Sequence, residues 1–371
     1  MKTILFEEHK TLGGKIVDFA GWEMPLWYTK GQSVEHNATR NAVGLFDICH
    51  MGEFIIRGEK SLEFISNLLS NNIESMKVGQ AMYNFMLNDK GGVIDDCIVY
   101  RFEDRWMLVV NAGNIETDFN WLQSHKLEGV EIEDVSNSIA KLDLQGPNAP
   151  KLVAKLAGLD SLKKLGFFKA REGVMFGDIE VILSRTGYTG EIGFELYFDM
   201  DRCLDLWNLL LKEGEEFGIE PCGLAARDSL RTEAGLPLHG NEISPNTPSI
   251  ETPWEFVFDW DSDFIGKESL LKYKEEGVKT FIYGFIIDGR SKAMPDWIVR
   301  FEGETIGKVV SGTISPSLSN KPIGFLISSK KLELESEVEF QKEGSKRVLK
   351  GNIAKTPFVA PTSRKKLKTF L

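Results

Sequence analysis

Between residues 93 and 100 the chain alternates with period two. Val93, Asp95, Cys97 and Val99 share one face, and Ile94, Asp96, Ile98 and Tyr100 the other. The pattern predicts a β-strand, yet it sets two adjacent carboxylates on opposite faces with no polar stripe for either. A buried, unpaired carboxylate costs several kcal/mol or changes its pKa, so the pair calls for a chemical reason. Upstream, "EKSLEFISNLLS" (59–70) carries Leu62, Phe64, Ile65, Leu68 and Leu69 at helical spacing. A meander follows, with strands near 80–88, 93–101 and 106–111 separated by turns at "NDKGG" and "FEDR".

Further on, the pattern predicts a helix over 114–125, strands near 131–134 and 140–144, and a helix over 148–157 opened by "LQGPNAP". Residues 174–184 and 193–198 read as two strands flanking the Gly-rich loop "RTGYTGE", and 201–216 as a helix. "GLAARDSLRTEAG" reads as a helix closed by Gly235 as its C′ residue. From about 277 the texture changes to short β runs broken by Gly, Pro and Ser, which predicts a separate β domain or barrel after a linker at 272–279. The expected organisation is a catalytic region over 1–275, a C-terminal β domain over 276–361 and a basic tail over 362–371.

The chain has 371 residues, enough for two or three domains, and a net charge of −11. That charge argues against a nucleic-acid surface, which needs clustered Lys and Arg. Cys49, Cys97, Cys203 and Cys222 form no CxxC pair, so they give no zinc or disulfide framework and fit a reducing compartment. "MKTILFEEHKTLGG" does not read as a signal peptide, and no stretch approaches the roughly 18 apolar residues of a membrane span. The expectation is a cytoplasmic protein without membrane contact. The terminal "SRKKLKTFL" carries two readings, a solvated tail or a contact for an acidic partner or polyanionic ligand.

Signatures of hydrolases, P-loop enzymes, zinc proteases and EF-hands are missing, and the five histidines show no metal-ligand spacing. "GYTGEIG" has the wrong glycine spacing for a dinucleotide turn. Three polar features sit among apolar residues instead. One is the Asp95–Asp96 pair. Another is Glu195, on the strand face with Gly193 and Tyr197 and opposite Phe194, Leu196 and Phe198; it suits either a solvated outer face or a site, with Tyr188 at the crest of the preceding loop as a surface aromatic or a lid. The third is Arg227, flanked at i−3 and i+3 by Leu224 and Leu230, where an arginine pairs with a carboxylate either structurally or across a ligand. Together they suggest a cleft for a planar ligand rich in hydrogen-bonding groups.

The blocks "VDFAGWEMPLWY", "GLFDICHMGEF", "MLNDKGGVIDDCIVY", "LDLQGP", "SRTGYTGEIGFELY", "PCGLAARDSLRTEAGLPLHGNEI", "DFIGKESL", "GKVVSGTISPSL" and "TPFV" run in order from about residue 17 to 359. In this the chain resembles the tetrahydrofolate-dependent one-carbon transferases whose type is the aminomethyltransferase (T-protein) of glycine cleavage. The resemblance implies an α+β fold of three domains around a central folate channel, the first two interleaved and the third a β-barrel-like domain. It implies Asp96 as the catalytic aspartate, Glu195 and Arg227 as the residues gripping the pterin, and Tyr83, Ile98, Val109, Asn111, Phe167 and Tyr188 as folate-site lining. Asp96 would face the reacting folate nitrogens between Ile94 and Ile98, with Asp95 supporting from behind. Tetrahydrofolate would be the co-substrate and the lipoylated H-protein a transient partner.

Two departures bear on the donor. Where such proteins carry an arginine in the C-terminal domain, this chain reads "KAMP", with Met294 in the slot and Lys292 or Arg290 nearby. "TPWEFVFDWD" (252–261) alternates aromatics and acids; Trp254, Phe256, Phe258 and Trp260 would form a core stripe on one strand face, or a cage for a methylated cation. The second option corresponds to relatives that demethylate small ammonium or sulfonium compounds, giving 5-methyltetrahydrofolate. A folate-binding assembly or repair role without catalysis fits less well, because Asp96, Glu195, Arg227 and the whole β region are retained.

Overall fold

A computed structural model describes residues 1–248, 250 and 252–371. The meander closes into an antiparallel five-stranded sheet in the order Gln80–Leu87, Val93–Arg101, Trp106–Val110, Gly52–Arg57, Glu131–Asp134. One face packs against the helices Ser61–Leu68 and Ile115–Ser124, burying Phe64, Ile65, Leu68 and Leu122 with Phe54, Ile56, Val99 and Leu108. A second sheet has six strands in the order Ala170–Phe176, Ile179–Ser184, Gly193–Asp199, Ile139–Gln145, Val43–Asp47, Ile219–Pro221, with only its last pair parallel. The chain crosses from the second sheet into the first after Asp47 and returns after Asp134, so the two α+β units are interleaved.

The second sheet shows why strand periodicity matters here. Ala140, Leu142, Leu144, Phe194, Leu196 and Phe198 cover the helices Ala149–Ala157 and Cys203–Gly214. The intervening residues face the other way, toward the first sheet, where Tyr197 meets Tyr100, Ile98 and Val109. A closed barrel follows, in the order Phe281–Ile287, Lys321–Ser328, Glu304–Ser315, Ile298–Phe301, Glu337–Gln341, Val348–Ala354. Its strands crowd closely: a Cβ on Gly307 would stand 1.8 Å from the Ile327 carbonyl oxygen.

Several expectations need correction. Residues 174–184 are not one strand; they belong to a hairpin whose two-residue loop has Gly177 at φ +64, which reverses the chain. The expected linker at 272–279 is mostly helix, since Lys267–Glu276 runs on to Gly277 at φ +89, and its charges are a solvated helix face around buried Leu270. Residues 252–261 form no strand: Glu255–Val257 is a 3-10 turn, so Trp254 and Phe258 are buried while Phe256 is 62% exposed. Ile94 does not share the wall with Asp96. A bulge opposite Met86–Leu87 breaks the alternation and turns Ile94 into the helix-packed core. The helix Leu224–Glu233 does end as expected, with Gly235 at φ +74.

Candidate active site

Between the two sheets, closed over by residues from 234–241, 253–256 and 356–364, lies a cavity of about 790 Å³. All nine residues singled out from the sequence line it: Tyr83, Asp96, Ile98, Val109, Asn111, Phe167, Tyr188, Glu195 and Arg227. The sheets supply most of them, so their spacing is set by strand register rather than by loop conformation.

At one end the two aspartates divide as the strand requires. Asp95 is fully buried and lies outside the lining; it accepts from the Asn111 backbone N–H at 2.9 Å, from Asn111 Nδ2 at 2.8 Å and from Asn114 Nδ2 at 2.7 Å. Asn114 also donates to His239 Nδ1 at 3.0 Å, which fixes the histidine so that Nε2–H reaches the Val93 carbonyl at 3.2 Å. Asp96 borders the cavity. Its Oδ2 accepts from the Tyr83 hydroxyl at 2.8 Å and its Oδ1 from Asn111 Nδ2 at 2.9 Å. Burial and the adjacent Asp95 charge raise the Asp96 carboxyl to about 7, against the Tyr83 and Asn111 hydrogen bonds. Behind the pair, both Asp118 oxygens are buried without a donor, and burial plus the Asp95 and Asp96 charges push that acid up to about 11. Asp118 therefore stays neutral.

The other end is built on the second sheet. Glu195 pairs across the ladder with Asp143, and Tyr197 with Lys141, so these four side chains share the cavity face. Glu195 is buried; Thr186 Oγ1 at 2.6 Å, the Tyr197 hydroxyl at 3.0 Å and the Tyr100 hydroxyl at 3.2 Å all donate to its Oε2. Burial alone would raise its pKa, but the Lys141 charge, these hydrogen bonds and the Arg227 charge outweigh that and hold it low. Arg227 donates to Asp143 Oδ2 at 3.2 Å while its guanidinium stacks 4.7 Å from the Tyr188 ring centre. The Tyr188 hydroxyl is tied to the Pro237 carbonyl, which holds the ring in place. Burial and the Glu195 charge raise Asp143 to about 7 despite Arg227 and the 2.6 Å bond from Gln145.

Lys141, Asp143, His50, Asn114 and His239 were not picked out from the sequence. The signal for the first two was the alternation in "AKLDLQ", whose polar positions 141, 143 and 145 fall on one strand face. His50 lines the cavity with Nδ1 unpaired, and burial lowers its pKa to about 4, so the imidazole is neutral. The basic tail is anchored: Thr362 and Ser363 donate backbone N–H groups to the Gly190 carbonyl, and Arg364 lines the cavity over the Phe167 ring. Met294, Lys292 and Arg290 lie outside the lining. Glu255, Asp259 and Asp261 are also outside it, and only Pro253, Trp254 and Phe256 of that stretch contribute. No acid-lined aromatic cage forms there. Among the described residues no cluster of His, Cys, Asp and Glu could hold a metal ion, and no helix is long and apolar enough to cross a membrane.

Residues 5–262 match the family model described as the GCVT N-terminal domain. The aminomethyltransferase of Thermoanaerobacter sp. (strain X514) is 44% identical over 342 residues, covering 91% of this chain and 92% of that protein. The aminomethyltransferase of Halothermothrix orenii is 42% identical over 364 residues, covering 96% and 99%. Among solved structures, the glycine cleavage system aminomethyltransferase T from Bartonella henselae superposes with a TM-score of 0.90 at 34% identity, covering 98% of this chain and 99% of that one.

Proposed function

The chain belongs to the GCVT family of aminomethyltransferases, and from that premise we propose that its cavity is where the methylene of an aminomethyl-dihydrolipoyl H-protein passes to tetrahydrofolate, releasing ammonia. The observation that carries this reading is Asp96, a carboxyl raised to about 7 on the wall of an aromatic-lined cavity that also holds an ionised Glu195 and a stacked Arg227. Tetrahydrofolate supplies the two amine nitrogens that take the methylene and become 5,10-methylenetetrahydrofolate. The residues fit such a molecule: Glu195 keeps Oε1 free to accept, Arg227 and Tyr188 offer a flat cationic–aromatic surface, and Phe167 extends the apolar wall.

Asp96 manages the protons. Two N–H protons leave the acceptor; one ends on the departing ammonia and the other on the released dihydrolipoyl sulfur. A group poised near neutrality both accepts and returns a proton at working pH, and such a positioned acid–base is typically worth about 10²–10⁴-fold. Tyr83 and Asn111 fix one carboxylate oxygen each, so the carboxyl meets the reacting nitrogens in one orientation. Exposed Phe256 lies 6.3 Å from the Tyr83 ring, marking an opening near Asp96 that the carrier arm can enter. The apolar lining keeps water from the methylene during transfer.

The test is a product assay with tetrahydrofolate and H-protein carrying the aminomethyl group. Ammonia and 5,10-methylenetetrahydrofolate in equal amounts are expected. Tetrahydrofolate binding without ammonia release would overturn the reaction assigned here.

A further inference from the structure

We propose that Lys141 is a ligand-contacting residue that donates to the ring carbonyl oxygen of the pterin, while Glu195 takes the ring N–H and exocyclic amine beside it. The inference rests on the tetrahydrofolate reading and deepens it, because it assigns which edge of the ring the cavity reads and by which residues.

Lys141 is 1% exposed and lines the cavity. Its ammonium has three N–H donors, yet the one hydrogen-bond partner of Nζ among the described residues is Met51 Sδ at 3.4 Å, a weak acceptor. The Tyr197 ring lies 5.1 Å away, and no described carboxylate lies within ion-pair distance. Glu53, the buried acid whose pKa burial raises to about 8 against Lys141, keeps Oε1 unpaired and does not supply the missing partner. A buried ammonium with free donors beside a cavity is built to meet an acceptor brought in from outside.

Glu195 supplies the complementary half. Its three hydroxyl partners all land on Oε2, so Oε1 retains its acceptor sites. In the ladder Lys141 is the diagonal neighbour of Glu195, two residues along from Asp143, and diagonal neighbours lie about 7–8 Å apart at Cα, within reach of long side chains. The cavity face thus presents an acceptor next to a donor. The pyrimidine edge of a pterin runs amine, ring N–H, carbonyl: two donors beside one acceptor. The carboxylate fits the donors and the ammonium fits the carbonyl.

A lysine that merely balances the Glu195 charge would be indifferent to the group at that ring carbon. Affinities of tetrahydrofolate and of its 4-amino-4-deoxy analogue, which has –NH₂ in place of the carbonyl and no hydrogen on the adjacent ring nitrogen, are compared between wild type and variant. The N–H lost to Glu195 is common to both proteins, so the change in preference between them isolates the lysine. The affinities are measured anaerobically by tryptophan fluorescence for the intact protein and for Lys141→Met. The wild type is expected to favour tetrahydrofolate by about 10- to 100-fold, the range for a hydrogen bond to a charged group. In Lys141→Met, with its melting temperature matched to wild type, tetrahydrofolate binding should weaken by a similar factor and the preference should shrink by that factor. Equal wild-type affinity for the two compounds would overturn the assignment even if the variant failed to fold, as would a folded variant whose preference was undiminished. Absence of tetrahydrofolate binding in the wild type would instead remove the cavity reading itself.

Discussion

Replacing Tyr83 by Phe deletes one hydroxyl and little else. The ring keeps its edge-on contact with Phe85 at 5.8 Å and its approach to Phe256 at 6.3 Å, so the packing around the strand is preserved. What disappears is the 2.8 Å hydrogen bond to Asp96 Oδ2, which favours the ionised carboxylate. A hydrogen bond to a charged acceptor is worth about 1.5–3 kcal/mol, and 1.36 kcal/mol corresponds to one pH unit. Burial and Asp95 already hold Asp96 at about 7; without the hydroxyl its titration should therefore climb by about one to two units. The carboxylate fraction at pH 7 would then fall from about one half to between 10% and 1%.

The readout is the pH dependence of ammonia release in single turnovers with saturating tetrahydrofolate, from pH 5.5 to 9. Wild type should show a rising limb near 7 as Asp96 becomes competent to accept a proton. Tyr83→Phe should show the same limb displaced upward, with activity recovered at high pH, and Asp96→Asn should show no limb and a rate about 10²–10⁴-fold lower. A limb that stays put in Tyr83→Phe, or moves down, would refute the argument that this hydroxyl tunes the catalytic carboxyl.

Asp96→Asn should also stabilise the protein at alkaline pH. The folded pKa of about 7 exceeds the ordinary 3.8, so the folded state holds a proton that the unfolded state releases, and stability falls as pH rises from 4 through 7. Three units set an upper bound of about 4 kcal/mol; the variant should melt above wild type at pH 8 with the gap closing by pH 4, and a pH-independent gap would contradict the burial argument. Arg227→Lys keeps the charge but loses the planar fork that meets Asp143 and lies over Tyr188; calorimetric titration should show tetrahydrofolate binding weakened about tenfold, and unchanged affinity would take Arg227 out of the grip on the ligand. Gly307→Ala forces a methyl against the Ile327 carbonyl and should cost about 1–3 kcal/mol of stability by thermal denaturation, whereas a neutral result would mean that the barrel strands separate easily at this crossing.

Strand alternation made Asp96 legible, since period two forces Asp95 and Asp96 apart and one of them had to reach an interior surface. The same argument failed two residues before Asp96, because the bulge opposite Met86–Leu87 is a tertiary feature with no turn residue to announce it, and it moved Ile94 off the wall. Glu195 left two readings open locally: the strand pattern fixed its face, but whether that face met water or another sheet depended on the long-range pairing of 193–199 with 139–145. Lys141 and Asp143 escaped notice for the same reason. His50, Asn114 and His239 come together from segments more than 60 residues apart and meet only through the fold. In 252–261 the aromatic alternation suggested a strand, but a 3-10 turn breaks it and exposes Phe256.

The second sheet explains why so many ionisable groups can be buried without losing the fold. Along 139–145 and 193–199 the even positions carry Ala140, Leu142, Leu144, Phe194, Leu196 and Phe198 into a core shared with two helices, and the odd positions carry Lys141, Asp143, Gln145, Glu195 and Tyr197 toward the cavity. A slip of one residue would drive the charged set into that core and the leucines into the site, so the packing that favours the native register is also what aligns Glu195 beside Asp143 and Lys141 beside Tyr197. Mutations that loosen the helix-packed face, such as trimming Leu142, should therefore disturb ligand binding on the opposite face before they unfold the domain. The apolar side of each strand sets the geometry of its polar side.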